Sequence, residues 1–210
     1  MKISNPRLFP TALAFGKRSS KDAFLAFIVK GTFGIGARNS VAQEAPQQLP
    51  ILKADEPYDT KNPGGLLRFE SDLVAFKPRA DIVLVGNAYA PGGRGAKSVE
   101  VKVQVGRTLK IMAIFGDRVW SFPSADQSAP LQVGPAEFVK MPLTYDRAFG
   151  GIDEHAQVSA KTPRFRPWFD RNFFGRGFIG ARTVASIHKK PLPNIEDPTW
   201  LIRTWDSFPP

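Results

Sequence analysis

The residues with the clearest chemical potential are arginines interleaved with aromatic side chains between positions 164 and 182. They are Arg164, Phe165, Arg166, Trp168, Phe169, Arg171, Phe173, Phe174, Arg176, Phe178 and Arg182. Arginine pairs with phosphates and aromatic rings stack on bases, so this pattern is compatible with nucleic-acid binding. Arginine and aromatic residues are also enriched in protein-binding surfaces. In a third interpretation, the aromatics fill the core and the arginines are solvated or paired with carboxylates.

The charge of this segment favours a partner-binding surface. From Lys161 to Lys190 there are eight Lys or Arg residues and one acid, Asp170. Clustered cations repel one another, and an acidic partner would relieve that repulsion. The residues predicted to bind a partner are Arg164, Arg166, Trp168, Phe169, Arg171, Arg176 and Arg182. Core packing is expected for most of the other aromatics, because the chain has 17 Phe residues.

Residue types that could catalyse a reaction are sparse and scattered. Cysteine is absent, which excludes thiol catalysis, disulfides and Cys-ligated metal. The two histidines, His155 and His188, lie far apart, and no ligand spacing surrounds them. Asp153 and Glu154 precede His155 directly, and adjacent side chains do not converge easily on one ion. The nucleophile-elbow, zinc-protease and phosphate-loop motifs are missing. We therefore expect no enzymatic activity, no metal and no cofactor.

Length and charge indicate a soluble, basic protein. The chain of 210 residues, 42% of them hydrophobic, suits a single domain over residues 1–210. The net charge of +10 indicates either a basic surface without further function or a preference for an acidic partner. The N-terminus lacks the apolar stretch of a signal peptide, and no run approaches the roughly 18–20 apolar residues of a membrane span. We expect a cytoplasmic protein without membrane partners.

An alternating valine pattern predicts the strands around which the chain is organised. Between Val99 and Val105, four valines alternate with polar residues, so all valines point to one face of a strand. We predict that Val99–Val105 pairs antiparallel with Leu109–Phe115 across a turn at Gly106. The apolar face predicted for the returning strand consists of Leu109, Ile111, Ala113 and Phe115.

Other apolar runs extend this pattern into a β-rich fold. Asp81–Tyr89 and Arg118–Trp120 are predicted strands on either side of the valine hairpin, completing a β-meander. Ala23–Phe33 is apolar at nearly every position, which predicts a central strand covered on both sides. Residues 1–19 are expected to form an extended lead-in or edge strand.

Two long loops interrupt these strands. Residues 37–66 are predicted to be mostly irregular, with a short strand at Leu49–Leu52, and residues 121–136 form a second loop. A short helix is expected near Thr144–Phe149. The 19 Pro and 18 Gly residues favour turns and short strands over long helices. We predict an all-β or β-dominated fold, a two-layer antiparallel β-sandwich with long irregular loops.

Several motifs occur together in a specific order. They are Asp72–Pro78, Gly86–Gly93, Phe115–Trp120, Met141–Gly151, Gly175–Phe178 and Leu192–Pro198. In order and spacing they resemble a bacterial family of proteins encoded in type VI secretion clusters, beside the VgrG spike, the PAAR tip and toxic effectors. The resemblance extends from Phe24 to Pro198.

The resemblance implies an adaptor or chaperone that binds a specific toxic effector and helps to load it onto the VgrG/PAAR spike. It supplies no catalytic residues. Domains of that family generally continue beyond the end of this chain, which implies either truncation at its C-terminus or a short member of the family. The alternative is a basic nucleic-acid-binding β-domain, whose binding would weaken steeply with salt.

Overall fold

Short β-strands joined by long loops make up most of the described chain. The computed structural model describes residues 9–17, 22–37, 40–74, 79–122, 130–153, 167–180 and 187–205. The strands pair in small, mostly antiparallel sheets, which confirms the predicted β-dominated fold with long irregular loops. Two compact units divide the chain, Met1–Val83 and Leu84–Pro210. The single domain expected over residues 1–210 stays a prediction.

Within the described residues, the first unit contains six strands in three antiparallel pairs. In chain order the strands are β1 (Thr11–Lys17), β2 (Ala23–Val29), β3 (Phe33–Gly34), β4 (Gln43–Glu44), β5 (Glu56–Pro57) and β6 (Leu67–Phe69). β1 pairs with β2, β3 with β4, and β5 with β6. The hairpin of β1 and β2 is therefore the largest regular element of this unit.

β2 occupies most of the predicted strand Ala23–Phe33, but only one of its faces is covered. Its side chains alternate between exposed and half-buried along the whole strand. Within the described chain β2 has one neighbouring strand, and Leu25, Phe27 and Val29 point to solvent. The prediction of a central strand covered on both sides is therefore wrong.

Residues 37–66 are irregular for most of their described length, as predicted. The predicted strand Leu49–Leu52 is wrong, because this segment bonds to side chains and not to a neighbouring strand. Leu49 N–H donates to Thr32 Oγ1 at 2.9 Å, and Leu52 N–H donates to the Asp72 carboxylate at 2.7 Å. Side-chain acceptors thus replace a strand ladder here.

The second unit contains nine strands and two short 3-10 turns in its described residues. The strands are β7 (Asn87–Tyr89), β8 (Ser98–Val105), β9 (Thr108–Phe115), β10 (Val119–Ser121), β11 (Leu131–Val133), β12 (Lys140–Pro142), β13 (Phe149–Gly150), β14 (Arg176–Gly177) and β15 (Ile195–Glu196). The 3-10 turns are Pro91–Gly93 and Tyr145–Arg147. The second turn lies where a short helix is predicted.

The hairpin of β8 and β9 confirms the antiparallel pairing predicted from the valine pattern. Val99 lies opposite Ile114, and Val101 lies opposite Met112. Residues that lie opposite each other share a face, so the valines pack beside Ile114 and Met112. Ile114 is completely buried, with 0% exposure.

The four residues predicted to line one face of the returning strand do share a face, but it is not the face on which the valines lie. The residues predicted to form that face were Leu109, Ile111, Ala113 and Phe115. The observed register places them on the side of β9 opposite to the valines, and Leu109 is 52% exposed. Residues 111–115 of β9 are apolar on both faces, so the sequence pattern alone does not distinguish them.

The meander predicted around this hairpin is also wrong. β9 has β8 on one side and β15 on the other, so β15 takes the place of a sequential neighbour. Only Asn87–Tyr89 of the predicted strand Asp81–Tyr89 is a strand, and it pairs with β12. β10 pairs with β11. Distant segments, and not consecutive ones, complete these sheets.

Among the described residues of the second unit, buried side chains form two clusters. One cluster consists of Trp120, Ile179, Ile187, Leu192 and Ile202. The other consists of Ala88, Ile114, Phe138 and Met141, with Val99, Val101 and Met112 packed against it. The valine face of the β8–β9 hairpin therefore covers the second cluster.

Two glycines lie where backbone segments of this unit cross closely. A Cβ atom at Gly116 would overlap the carbonyl oxygen of Ala136, and one at Gly150 would overlap that of Asn172. Gly150 also has a φ of +150°, a conformation that other residues rarely adopt. A side chain at either position would force the crossing segments apart.

Replacing Ile114 by alanine should destabilise the second unit by about 2–5 kcal/mol, because it leaves a cavity at a fully buried site. The matched control, Leu109→Ala on the same strand, should change the free energy of unfolding by about 0.5 kcal/mol or less. Urea unfolding followed by tryptophan fluorescence measures this unit, which contains all four tryptophans. Equal destabilisation by both variants would contradict the register.

Candidate protein-binding surface

One face of the β1–β2 hairpin is apolar and exposed. The register places Phe15 opposite Leu25, and side-chain alternation puts Phe27 and Val29 on the same face. Phe15 is 76% exposed, and the other three side chains are 51–54% exposed. We call these four side chains the hairpin face. Contiguous exposed apolar surface of this kind marks binding sites in soluble proteins.

The outer edges of the hairpin have no third strand within the described residues. Lys30 N–H donates to the carbonyl oxygen of Pro10 at 3.0 Å, which makes Pro10 and Lys30 a hydrogen-bonded pair. Such pairs alternate along an antiparallel ladder, so the even-numbered residues of β1 and β2 bond to each other. The odd-numbered residues turn their N–H and C=O groups outward. The hairpin face and the outward backbone groups therefore belong to the same residues.

An ion pair anchors the end of β2 within the first unit. Lys30 Nζ donates to Asp72 Oδ2 at 2.6 Å, and Leu52 N–H donates to the same oxygen at 2.7 Å. Partial burial would raise the pKa of Asp72, but these hydrogen bonds and the ammonium charge outweigh it and hold the pKa below its ordinary value. The ionised carboxylate thus connects the hairpin to the loop at Leu52.

The segment predicted to bind a partner is divided between exposed and packed residues. Trp168 is 43% exposed, and Arg171 is also exposed. Phe169 is half-buried, and its ring meets that of Phe149 edge-on with 5.0 Å between centroids. The predicted residues that lie outside the described ranges are Arg164, Arg166 and Arg182. Partner binding by this segment stays a prediction.

Arg176 belongs to a hydrogen-bonded network around Asn194. Its Nη1 donates to Asn194 Oδ1 at 3.1 Å, and its Nε donates to the carbonyl oxygen of Asp146 at 2.9 Å. The carboxylates of Asp117 and Asp146 lie 4.0 Å and 3.8 Å from its guanidinium nitrogens. Burial and the nearby Arg147 lower the pKa of Arg176 against the attraction of both carboxylates. This arginine is paired internally, as the structural interpretation of the segment predicts.

Asn194 is completely buried and uses both ends of its side-chain amide. Its Nδ2 donates to the carbonyl oxygen of Phe115 and to Asp117 Oδ1, both at 3.0 Å. Its Oδ1 accepts from Arg147 and Arg176, both at 3.1 Å. Its backbone N–H donates to the Arg147 carbonyl at 2.8 Å, and its own carbonyl accepts from Phe115 N–H at 2.8 Å. One side chain thus connects three separate segments.

A buried ion pair lies close to Asn194 in the sequence. Arg118 is 5% exposed and Glu196 is 6% exposed, and an Nη2–Oε1 hydrogen bond joins them. Arg118 also donates to the carbonyl oxygen of Pro193 at 2.6 Å, and Glu196 accepts from Ile202 N–H at 2.9 Å. Loss of either partner would leave an uncompensated buried charge. We assign this pair to the fold and not to binding.

The described residues contain neither a candidate metal site nor a candidate membrane-spanning helix. Asp153 is buried, whereas Glu154 and His155 lie outside the described residues. In the described ranges, no three His, Asp or Glu side chains come together in a group that could hold a metal ion. No helix in this part of the chain has both the length and the apolar character needed to cross a membrane.

The sequence analysis missed the hairpin face because β2 resembles a strand covered on both sides. The segment Ala23–Val29 has no polar residue to indicate a solvent face. Pro10 before β1 and Lys17 at its end are typical of an edge strand, and β1 has this position within the described residues. They do not indicate which face of β2 is exposed, so no local signal distinguished an open face from a covered one.

Replacing Asp72 by asparagine should destabilise the first unit by about 1 kcal/mol at pH 7, because hydrogen bonds to a charged acceptor are lost. The pKa of Asp72 is lowered in the folded state, so its contribution is complete above the ordinary carboxyl pKa. It disappears as the pH falls through the lowered value. The difference between parent and variant should shrink accordingly.

Urea unfolding followed through the NMR signals of β1 and β2 at several pH values measures this effect. The control, Glu44→Gln, changes an exposed carboxylate of β4 and should have no effect. A difference between Asp72→Asn and parent that is independent of pH would contradict the role of the ionised carboxylate.

Comparison with known proteins identifies the family. No curated protein and no solved structure matches the chain. The profile of the family described as "Uncharacterized protein conserved in bacteria (DUF2169)" matches residues 20–210. The match includes β2, which supplies three of the four side chains of the hairpin face, and the whole second unit. The chain therefore belongs to this bacterial family.

Proposed function

We propose that the protein is a type VI secretion adaptor, or chaperone, which binds a specific toxic effector and helps to load it onto the VgrG/PAAR spike. The hairpin face carries this proposal, because a protein that holds a partner needs exposed apolar surface. The order of the sequence motifs, which resembles that of the adaptor family, supports the link to type VI secretion.

The chemistry of the hairpin face suits protein binding. Burial of one Val, Leu or Phe side chain contributes about 1.5–3 kcal/mol. Four such side chains can therefore offset a substantial part of the translational and rotational freedom that is lost on association. Aromatic anchors such as Phe15 and Phe27 commonly form the energetic centre of an interface.

The same surface would stabilise an effector before secretion. An effector with an exposed apolar segment tends to aggregate, and contact with the hairpin face would remove the apolar area of both proteins from water. The net charge of +10 would speed the encounter with an acidic effector more than it would set the final affinity.

Replacing Phe15 and Phe27 together by serine should weaken effector binding by about a hundredfold or more, because two aromatic anchors are lost. The tagged full chain is co-expressed with the products of the neighbouring genes, and co-purifying proteins are identified by mass spectrometry. Calorimetric titration of the purified pair then gives the affinity.

The matched control is the double variant Ile35→Ser with Leu49→Ser, which removes apolar side chains that are 95% and 56% exposed outside the hairpin. It should retain the parental affinity. Failure of the parent chain to capture any neighbouring gene product would contradict the adaptor function. Parental affinity in the Phe15→Ser, Phe27→Ser variant would contradict the hairpin face.

The sequence-predicted segment is tested by the double variant Trp168→Ala with Arg171→Glu. If this segment contributes to the partner surface, the affinity should fall about tenfold, as is typical of a single interface anchor. The control, Trp200→Ala with Arg203→Glu, changes exposed residues of the same types elsewhere in the second unit. Unchanged affinity in both variants would exclude the Trp168–Arg171 segment from the surface.

A further inference from the structure

The two outer edges of the β1–β2 hairpin differ in their protection against a third strand. β1 carries the charged side chain of Lys17 on one of its outward-bonding residues. Lysine on an edge strand discourages the addition of another strand. β2, Ala-Phe-Leu-Ala-Phe-Ile-Val, contains neither a charge nor a proline. The edge of β2 is therefore the less protected of the two.

We propose that the effector binds by adding a β-strand to the outer edge of β2. This inference rests on the proposed adaptor function and specifies its mode of binding. The outward backbone groups of β2 belong to Ala23, Leu25, Phe27 and Val29, and an antiparallel or parallel strand can pair with them along the whole edge. A two-stranded sheet is marginally stable, and the added strand would complete a three-stranded one.

The hairpin face determines which strand fits. Leu25, Phe27 and Val29 project from one face at every second position and are more than half exposed. Side chains of the added strand on that face would lie beside them. The effector segment is therefore a strand of about seven residues, matching the length of β2, with apolar side chains at alternate positions.

Charge favours an acidic effector segment over a second copy of the chain. β1 and β2 are connected through Lys17-Arg-Ser-Ser-Lys-Asp22, which has three cations and one carboxylate. An effector strand that carries Asp or Glu would gain favourable electrostatic interactions with a chain of this positive net charge. Two copies of a chain with a net charge of +10 would instead repel each other.

Hydrogen exchange in the complex tests this mode without any substitution. The effector captured by the full chain is divided into overlapping 15-residue peptides, and the tightest-binding peptide is added to the full chain. Amide exchange is then followed by NMR. The N–H groups of Leu25, Phe27 and Val29 should become protected, whereas those of Leu13 and Phe15 should not. Absence of protection at all three β2 amides in the bound state would overturn the proposal.

Proline substitutions provide an independent test. Leu25→Pro removes an outward N–H from β2 and leaves the ladder with β1 intact, because proline is tolerated on the open side of an edge strand. It should weaken peptide binding at least tenfold more than Leu25→Ala does. Leu13→Pro, the matched variant on β1, should bind no more weakly than Leu13→Ala. NMR signals of the β1–β2 ladder identify any variant that does not fold. If a proline variant does not fold, amide exchange in the peptide complex of the parent chain decides whether a strand is added to β2.

The outcomes separate the binding mode from the function. Loss of binding in the Phe15→Ser, Phe27→Ser variant, with parental binding in Leu25→Pro, would retain the adaptor function but overturn strand addition. Tight-binding peptides without alternating apolar residues would also overturn it. Protection of the β2 amides in the free chain at high concentration, together with dimers in sedimentation, would show that a second copy occupies the edge instead.

Discussion

The buried side chain of Asn194 is the interaction on which the second unit depends. In the described residues, the sheets of this unit are two or three strands wide, so their ladders connect few segments of the chain. Asn194 provides the missing connections by bonding to Phe115 at the end of β9, to Asp117, and to Arg147 and Arg176. Because a buried amide is costly unless all its groups are paired, this arrangement allows one relative placement of those segments. The hydrogen bonds of Asn194 thereby fix the positions of these segments within the second unit.

The valine pattern predicts the β8–β9 hairpin correctly because local alternation and a short turn determine that pairing. The remaining sheets join segments that are distant in the sequence, and no local pattern specifies them. β15 is only two residues long, yet it takes the edge of β9 at which a consecutive strand was predicted. Its position follows from Asn194 and the Arg118–Glu196 ion pair, whose partners are 78 residues apart in the sequence. A single sequence shows a polar asparagine and a charged pair but does not show that they meet in the interior.

The candidate binding surface was difficult to predict for a different reason. An apolar strand has the same composition whether its second face is covered by its own chain or binds another protein. The sequence Ala23–Val29 therefore indicates burial, and only the exposure of Leu25, Phe27 and Val29 in the fold reveals that one face is open. Conversely, the concentrated charge of residues 164–182 indicates a solvent surface, yet Arg176 lies within the network of Asn194. Composition identifies residues that must be packed or paired. The topology determines whether their contacts are made within the chain or with another protein.

The close backbone crossings at Gly116 and Gly150 have a consequence for the evolution of the family. Replacement of either glycine requires the opposing segment at Ala136 or Asn172 to move at the same time, so single substitutions at these positions are strongly disfavoured. Strand residues around them can change whenever a similar volume restores the packing. In an alignment of distant relatives, these two glycines should therefore remain recognisable after the strands have diverged, and they would serve as fixed points for establishing which residues correspond.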